Sequence, residues 1–168
     1  MIAKSLSSLL LAISLASAPA FAKAPDLGLL TTSGAPASLD RWVGKGKWVL
    51  VMFWATTCAI CEQNKPSIIE FHNKHKNNDA VVVGVAIDGI DKIASIKEKM
   101  REIPASYTDL VAEDLGLMAA NFQIAADEPF RGTPTYWFFS PKGELKAVNP
   151  GPVRLQALED YMARFPNG

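Results

Sequence analysis

Continuous apolar runs alternate with amphipathic stretches along the chain. Trp48–Trp54 and residues 80–88 are rich in β-branched and aromatic residues, as in strands buried on both faces of a parallel sheet. Apolar positions recur at helical spacing over residues 58–77 and 91–103. The pattern therefore predicts strand–helix–strand units, and such crossovers require parallel strand pairing.

The second half of the chain predicts a reversal of strand direction. We expect an extended segment over 107–111, a helix over 113–122, a hairpin over 135–149 and a closing amphipathic helix over 153–165. The hairpin turn falls on Pro141, Lys142 and Gly143.

A short hairpin is predicted at the start, within residues 27–47, because turn signals stand at Ser33-Gly34 and again over residues 44–46. A helical turn with Ser38 as its N-cap follows near residues 39–42. Together these elements predict an α/β fold, with a mixed central sheet flanked by helices on both faces. We expect one domain over residues 23–168.

Residues 1–22 have the pattern of a secretory signal peptide. One early lysine, Lys4, precedes an apolar stretch that ends at Pro19, and an Ala-x-Ala site places cleavage after Ala22. The alternative is an uncleaved anchor, but the stretch is shorter than the roughly 20 apolar residues of a membrane span. We expect export to the periplasm, with no stable membrane insertion after cleavage.

Charge is balanced, with 17 basic and 17 acidic residues, and no basic stripe suggests binding to nucleic acid. The chemistry of interest lies in the only two cysteines, Cys58 and Cys61. A purely structural disulfide would close a very small loop and add only about 2 kcal/mol of stability. A zinc site with His72 and His75 fits poorly, because eleven helical residues place Cys61 about 16 Å from His72.

Redox chemistry is the third interpretation, and local physics favours it. A helix that begins near Cys58 places its sulfur beside free backbone N–H groups and the positive end of the helix dipole, which lowers a thiol pKa. The thiolate is the form that attacks a disulfide. Cys61, one turn further into the helix, is placed to resolve the mixed disulfide.

The segments "FWATTCAIC" and "RGTPTYWFFSPKGEL", with Pro66 five residues after Cys61, resemble the thioredoxin superfamily. The preceding "TTSGAPASLDRWVGKGKWVLVMFWATTC" narrows the resemblance to exported TlpA/ResA-like thiol-disulfide reductases, over residues 27–165. The resemblance implies a thioredoxin-like fold with an N-terminal hairpin and an extra βα element. It also implies a redox-active disulfide without a metal or organic cofactor, protein disulfides as clients, and a membrane thiol reductant as electron donor.

The resemblance also implies roles for single residues. Cys58 matches the nucleophile and Cys61 the resolving cysteine, while Trp54 matches the aromatic that shields the site. The remaining matches are Pro66 as a helix kink, Pro134 as the cis-proline, Thr133 as a contact to site and substrate, and Asp88 as an acid near the proton-handling position. Asp88 has an equally simple interpretation as a loop carboxylate.

Three departures from the family pattern qualify these expectations. Met52 stands where thioredoxin carries a buried acid, and the dipeptide between the cysteines is Ala59-Ile60, which leaves the redox poise open. Residues 124–130 read as an insertion before the cis-proline loop that either shapes partner choice or is a tolerated surface loop.

Other functions fit less well but remain alternatives. They are a disulfide oxidase or isomerase, and a non-catalytic binding or chaperone-like module. A peroxidase would need a threonine where Ala55 stands, three residues before Cys58. Cytochrome c maturation is one client route that the resemblance suggests.

Overall fold

The computed structural model describes residues 23–168 and contains a seven-stranded sheet of order β2-β1-β5-β4-β3-β6-β7. The strands are β1 (Leu29–Thr31), β2 (Pro36–Ala37), β3 (Trp48–Trp54), β4 (Ala80–Ala86), β5 (Thr108–Ala112), β6 (Thr135–Phe139) and β7 (Leu145–Pro150). Strands β3, β4 and β5 are parallel, whereas β1, β2, β6 and β7 pair antiparallel to their neighbours. The predicted mixed sheet is confirmed.

Four helices cover the sheet: α1 (Ala59–His75), α2 (Ile93–Glu102), α3 (Leu115–Ala126) and α4 (Leu155–Arg164). Buried side chains of α1, α2 and α4 pack in one core cluster, whereas those of α3 pack in a second cluster on the other face. The predicted arrangement of helices on both faces is therefore confirmed. Strand β4 is followed by helix α2 and then by strand β5.

Strand β3 lies near the middle of the sheet, and all seven of its residues are buried. Its apolar side chains feed both core clusters alternately, with Val49, Val51 and Phe53 in one and Leu50 and Met52 in the other. The carboxyl end of β3 is therefore a fixed point from which the chain leaves the sheet and enters α1.

The predicted hairpins and the first helical turn are present. Ser38 caps a short 3-10 helix over Leu39–Arg41, accepting a hydrogen bond from the Asp40 N–H. Gly143 adopts a positive φ of 91° in the β6–β7 turn, a conformation that glycine tolerates without strain. Among the described residues, none of the helices is both long and apolar enough to cross a membrane.

The helix predicted over 113–122 extends further in the structure. Residues 124–126 of the supposed insertion are the last residues of α3, and the chain leaves the helix only at Asp127, which is left-handed with φ 55°. Phe130 is also anchored, with its ring 5.9 Å from that of Phe53 and 5.2 Å from that of Phe122. The segment is thus part helix and part packed loop. The predicted signal peptide, residues 1–22, lies outside the described residues.

Candidate active site

The two cysteines meet at the start of α1, where the chain turns away from β3. Cys58 is the N-cap residue of the helix, and its Sγ accepts a hydrogen bond of 3.1 Å from the Cys61 N–H. This contact and the helix dipole both favour negative charge on the Cys58 sulfur. The two residues are joined as a disulfide in this structure.

The two sulfurs differ in their access to solvent. Cys58 is partly exposed, whereas Cys61 is 3% exposed and belongs to the core cluster that also holds Trp54. A client disulfide can therefore reach Cys58 first, and Cys61 is placed to attack from inside the protein. This asymmetry matches the nucleophile and resolving roles that the sequence suggests.

Trp54, the last residue of β3, closes one side of the pair. Its ring is 7% exposed, and its Nε1 donates a buried hydrogen bond of 2.9 Å to Asp109 Oδ1. The Lys65 ammonium lies 5.3 Å from the centre of the ring, within the range of a cation–π contact. The indole therefore connects the cysteine pair to two buried charged groups.

The peptide bond between Thr133 and Pro134 is cis. Strand β6 begins directly afterwards, and Thr135 pairs with Phe53 of β3. Pro134 therefore lies at the same edge of the sheet as Trp54 and the loop that leads to Cys58. Thr135 Oγ1 donates to the Gly132 carbonyl at 2.6 Å, which ties down the chain on both sides of the proline.

Asp88 follows β4 and holds the loop that precedes the cysteines. Both of its carboxylate oxygens accept hydrogen bonds of 3.1 Å from the Thr56 N–H, and Oδ1 also accepts from Thr56 Oγ1. These contacts fix the chain between β3 and Cys58. The hydrogen-bond partner of Asp88 is Thr56 rather than a cysteine. These contacts are those of a loop carboxylate.

Pro66 lies inside α1, where a proline removes one backbone hydrogen bond of the helix. The preceding residue, Lys65, is one turn beyond Cys61 and points toward the same core. It is 8% exposed, and burial lowers its pKa more than the nearby Asp109 carboxylate raises it. Sequence reasoning missed this lysine, although its spacing of four residues from Cys61 places both on one face of the helix.

A small cavity, partly open to solvent, lies beside the disulfide, with a volume of about 30 Å³. Its walls include both cysteines and the side chains of Trp54, Lys65 and Tyr107. Three further charged residues line it, with Lys99 Nζ 2.7 Å from Glu102 Oε2 and 3.5 Å from Glu62 Oε2. The cavity wall beside the cysteine pair thus carries partly exposed charged side chains as well as the buried Lys65.

His72 and His75, the histidines of the rejected zinc site, are both largely shielded from solvent. His72 is buried, its Nδ1 accepts the Val82 N–H at 3.0 Å, and burial lowers its pKa. His75 lies between Asp79, 2.7 Å from its Nδ1, and Glu159, 3.1 Å from its Nε2. In residues 23–168, no three His, Cys, Asp or Glu side chains cluster as metal ligands would.

The matching residues 21–148 cover more than half of the chain and fit the profile of the AhpC/TSA family. The chain belongs to the AhpC/TSA family. Within this family, Ala55 stands where a peroxidase would carry threonine, whereas the cysteine pair and the cis-proline are those of thioredoxin-like members.

Relatives with curated names agree with this placement. The chain is 28% identical over 140 residues to the thioredoxin-like protein YneN of Bacillus subtilis, covering 83% of this chain and 76% of that protein. It is 26% identical over 120 residues to the thiol-disulfide oxidoreductase ResA of Oceanobacillus iheyensis, covering 70% of this chain and 57% of that protein.

A solved structure supports the fold. The thiol:disulfide interchange protein of Chlorobium tepidum, a thioredoxin-family protein, superposes with a TM-score of 0.67 at 24% identity, covering 87% of this chain and 96% of that one. The thioredoxin-like fold is therefore confirmed. With the cysteine pair at the helix start, the family member described here is a thiol-disulfide oxidoreductase.

Proposed function

We propose that this oxidoreductase acts in the periplasm, mainly as a reductase of protein disulfides. The observation that carries the mechanism is the asymmetry of the pair, with a partly exposed Cys58 at the helix N-terminus and a buried Cys61 behind it. Such an arrangement activates one sulfur for attack on a client and protects the other for the second step.

The reaction proceeds from the reduced dithiol. The Cys58 thiolate attacks one sulfur of a client disulfide, a bond forms between them, and the client's other sulfur leaves as a thiolate that takes up a proton. Cys61, after losing its proton, attacks the Cys58 sulfur and releases the second client thiol. The client gains two electrons, and the Cys58–Cys61 disulfide seen in this structure is the oxidised product.

Both redox equivalents reside on the two sulfurs, so we propose that no metal or organic cofactor takes part. The client would approach over the edge of the sheet where Pro134, Thr133 and Trp54 meet the cysteine loop. We further propose that a membrane thiol reductant regenerates the dithiol, as the resemblance to TlpA/ResA-like proteins implies. Cytochrome c maturation is one client route consistent with it.

The reduction potential decides the direction of electron flow. Equilibration with dithiothreitol or glutathione, followed through the fluorescence of Trp54 beside the pair, should give a value near that of thioredoxin, about −270 mV. A value near −120 mV, where the strong oxidant DsbA lies, would contradict the reductase proposal and make the protein a disulfide donor.

Export is the second part of the proposal, and it is supported by the signal-peptide pattern of residues 1–22. Expression of the full chain in a Gram-negative host should yield a periplasmic protein whose N-terminal residue is Lys23, as mass spectrometry would show. Recovery of the intact Met1 form in the membrane fraction would indicate an uncleaved anchor instead.

A further inference from the structure

Asp109 is a carboxylate buried in the core next to the cysteine pair, and the reaction described so far gives it no role. It lies in β5 and is only 6% exposed. Its neighbours at alternate positions, Tyr107 and Val111, belong to the same core cluster as Trp54 and Cys61. Burial raises the pKa of Asp109 to about 6, against the opposing effects of Lys65 and of the Trp54 hydrogen bond.

The register of the sheet explains how this carboxylate reaches the site. Met52, Gly84 and Asp109 stand in one row across the parallel strands β3, β4 and β5, so their side chains share one face. A Cβ on Gly84 would overlap Asp109 Oδ1 and would lie 3.2 Å from Trp54 Nε1. The carboxylate therefore occupies the space above Gly84 and extends from β5 toward Trp54.

Met52 stands where thioredoxin carries its buried acid. Asp109 lies in the same row, two strands away, so it places a carboxylate on the same face of the sheet. The strand that supplies it, β5, directly follows α2 in the chain. Lys65 completes the arrangement from α1, with its ammonium 5.3 Å from the centre of the Trp54 ring. Among the nearby charges that raise the pKa of Lys65, the Asp109 carboxylate has the largest effect.

The cavity beside the disulfide places Cys61 next to Trp54 and Lys65, and Asp109 adjoins it through its hydrogen bond with Trp54. Its volume of about 30 Å³ exceeds the 10–15 Å³ that one water molecule requires, and Cys61, Trp54 and Lys65 all line it. On the side of α2, a separate groove extends to Asp109. The residues that line this groove with Asp109 are Lys97, Met100, Arg101, Pro104 and Ala105. A proton taken up by Asp109 thus has a route to solvent.

The other ionisable side chains around Asp109 form ion pairs or stay protonated near neutral pH. From α1 and α2, Glu62, Lys99 and Glu102 pair with one another at the cavity wall. Burial raises the pKa of Tyr136 to about 12 and that of Tyr107 still further, so both phenols stay protonated near neutral pH. Asp109, by contrast, changes charge close to neutral pH.

We propose that Asp109 accepts the proton of the Cys61 thiol during resolution of the mixed disulfide, and that Lys65 stabilises the resulting thiolate. The proton passes from the Cys61 sulfur to the carboxylate, and the Cys61 thiolate then attacks the Cys58 sulfur. The bond between Cys58 and the client sulfur breaks, and the leaving thiolate is protonated by Asp109 or by solvent. This inference rests on the proposed role of Cys61 as the resolving cysteine.

A single-turnover reaction of the reduced protein with dithiobisnitrobenzoate separates the two chemical steps. Attack by Cys58 releases the first coloured thiol, and attack by Cys61 on the mixed disulfide releases the second. Asp109→Asn keeps the size of the side chain and an acceptor for Trp54. It should slow the second release about a hundred-fold or more near neutral pH, the scale of general acid–base catalysis, while the first release changes little.

The pH dependence of the second release tests whether Asp109 takes up a proton, because a purely structural side chain would not change it. In the wild type, the second release should accelerate as the pH rises through about 6, the pKa of Asp109, and Asp109→Asn should lack this step. Lys65→Met removes the cation that lowers the Asp109 pKa, so the step should move to higher pH. Asp91→Asn, at an exposed position, serves as the matched control and should behave as wild type.

Three results would overturn the proposal: an unchanged second release in Asp109→Asn, equal slowing of both releases, or a pH step that persists without the carboxylate. The rates of the two single-cysteine variants distinguish this failure from failure of the proposed function. If Cys61→Ser releases its one coloured thiol as fast as the first release of the wild type, and Cys58→Ser reacts slowly, while Asp109→Asn matches wild type, only the role of Asp109 is wrong. If instead Cys58→Ser is the fast variant and Cys61→Ser the slow one, Cys61 is not the resolving cysteine, and both proposals fail.

Discussion

Cys61→Ser should convert the protein into a trap that holds its clients through Cys58. The buried serine hydroxyl cannot attack the mixed disulfide, so the covalent intermediate accumulates and turnover is abolished. Cys58 retains its place as the N-cap residue with its sulfur partly exposed, so the first attack still occurs. Non-reducing electrophoresis after incubation with an unfolded disulfide-containing protein should show a higher-mass adduct that dithiothreitol removes.

Cys58→Ser is the matched control for this experiment. It leaves one thiol in a position that is 3% exposed, so it should form no adduct and have no reductase activity. The double variant should behave in the same way. If Cys58→Ser traps clients as well as Cys61→Ser does, the roles are reversed. If the variant without either cysteine retains the biological activity of the protein, the non-catalytic binding module becomes the better hypothesis.

Much of the fold follows from patterns that leave little choice. The apolar run Trp48–Trp54 is too short for a typical helix and too apolar for an exposed strand, and the structure gives β3 these same bounds. Turn residues were equally informative, since Ser38 caps the first helical turn and Gly143 takes the left-handed position of the late hairpin. Such features depend only on a few neighbouring residues, so they can be predicted from a single sequence.

The end of α3 shows where local patterns fail. The first glycine or proline after Phe122 is Pro129, three residues beyond the last helical residue. No stop signal therefore stood at the predicted end of the helix, and the interpretation of the segment as an insertion rested on comparison with relatives. The alanines at 125 and 126 continue the helix, and Asp127 ends it by adopting a left-handed conformation. Helix boundaries of this kind are set by the contacts of the following loop, here those of Phe130.

The cysteines and the cis-proline of the candidate site could be predicted from the sequence, whereas the buried carboxylate of Asp109 could not. Cysteines at a strand–helix junction can be identified from spacing alone, and the cis-proline segment from its motif. The burial of Asp109, however, depends on Gly84 standing beside it in the next strand, because any larger side chain would occupy that space. Register between distant strands is absent from a single sequence. A usable sign was the charge itself, in the middle of the extended segment predicted over residues 107–111.

Asp109→Asn should stabilise the oxidised protein at neutral pH even though it impairs the second chemical step. Because burial raises the pKa of Asp109 from 3.8 to about 6, the folded protein holds the proton more tightly than the unfolded chain does. Stability from this group is therefore complete below about pH 4 and is lost as the pH rises through about 6. A rise in pKa of this size corresponds to about 3 kcal/mol at neutral pH.

Asparagine carries no charge at any of these pH values, so the variant avoids that loss. The difference in unfolding free energy between Asp109→Asn and wild type should grow by up to about 3 kcal/mol from about pH 4 to about pH 7, as urea titrations of both proteins would measure. Comparison at each pH cancels the other titrating groups, which the two proteins share. Asp91→Asn should show no such growth, since its side chain is exposed.

This combination separates a functional carboxylate from a structural one. A structural carboxylate would make the asparagine variant less stable at neutral pH, because its hydrogen bonds and charge would then contribute to folding. If Asp109→Asn is more stable but resolves the mixed disulfide more slowly, the buried charge of Asp109 destabilises the fold and serves the reaction. A stability difference that is flat across pH would instead show that Asp109 has the same pKa folded and unfolded, and the carboxylate would then be unable to serve as a proton acceptor tuned by burial.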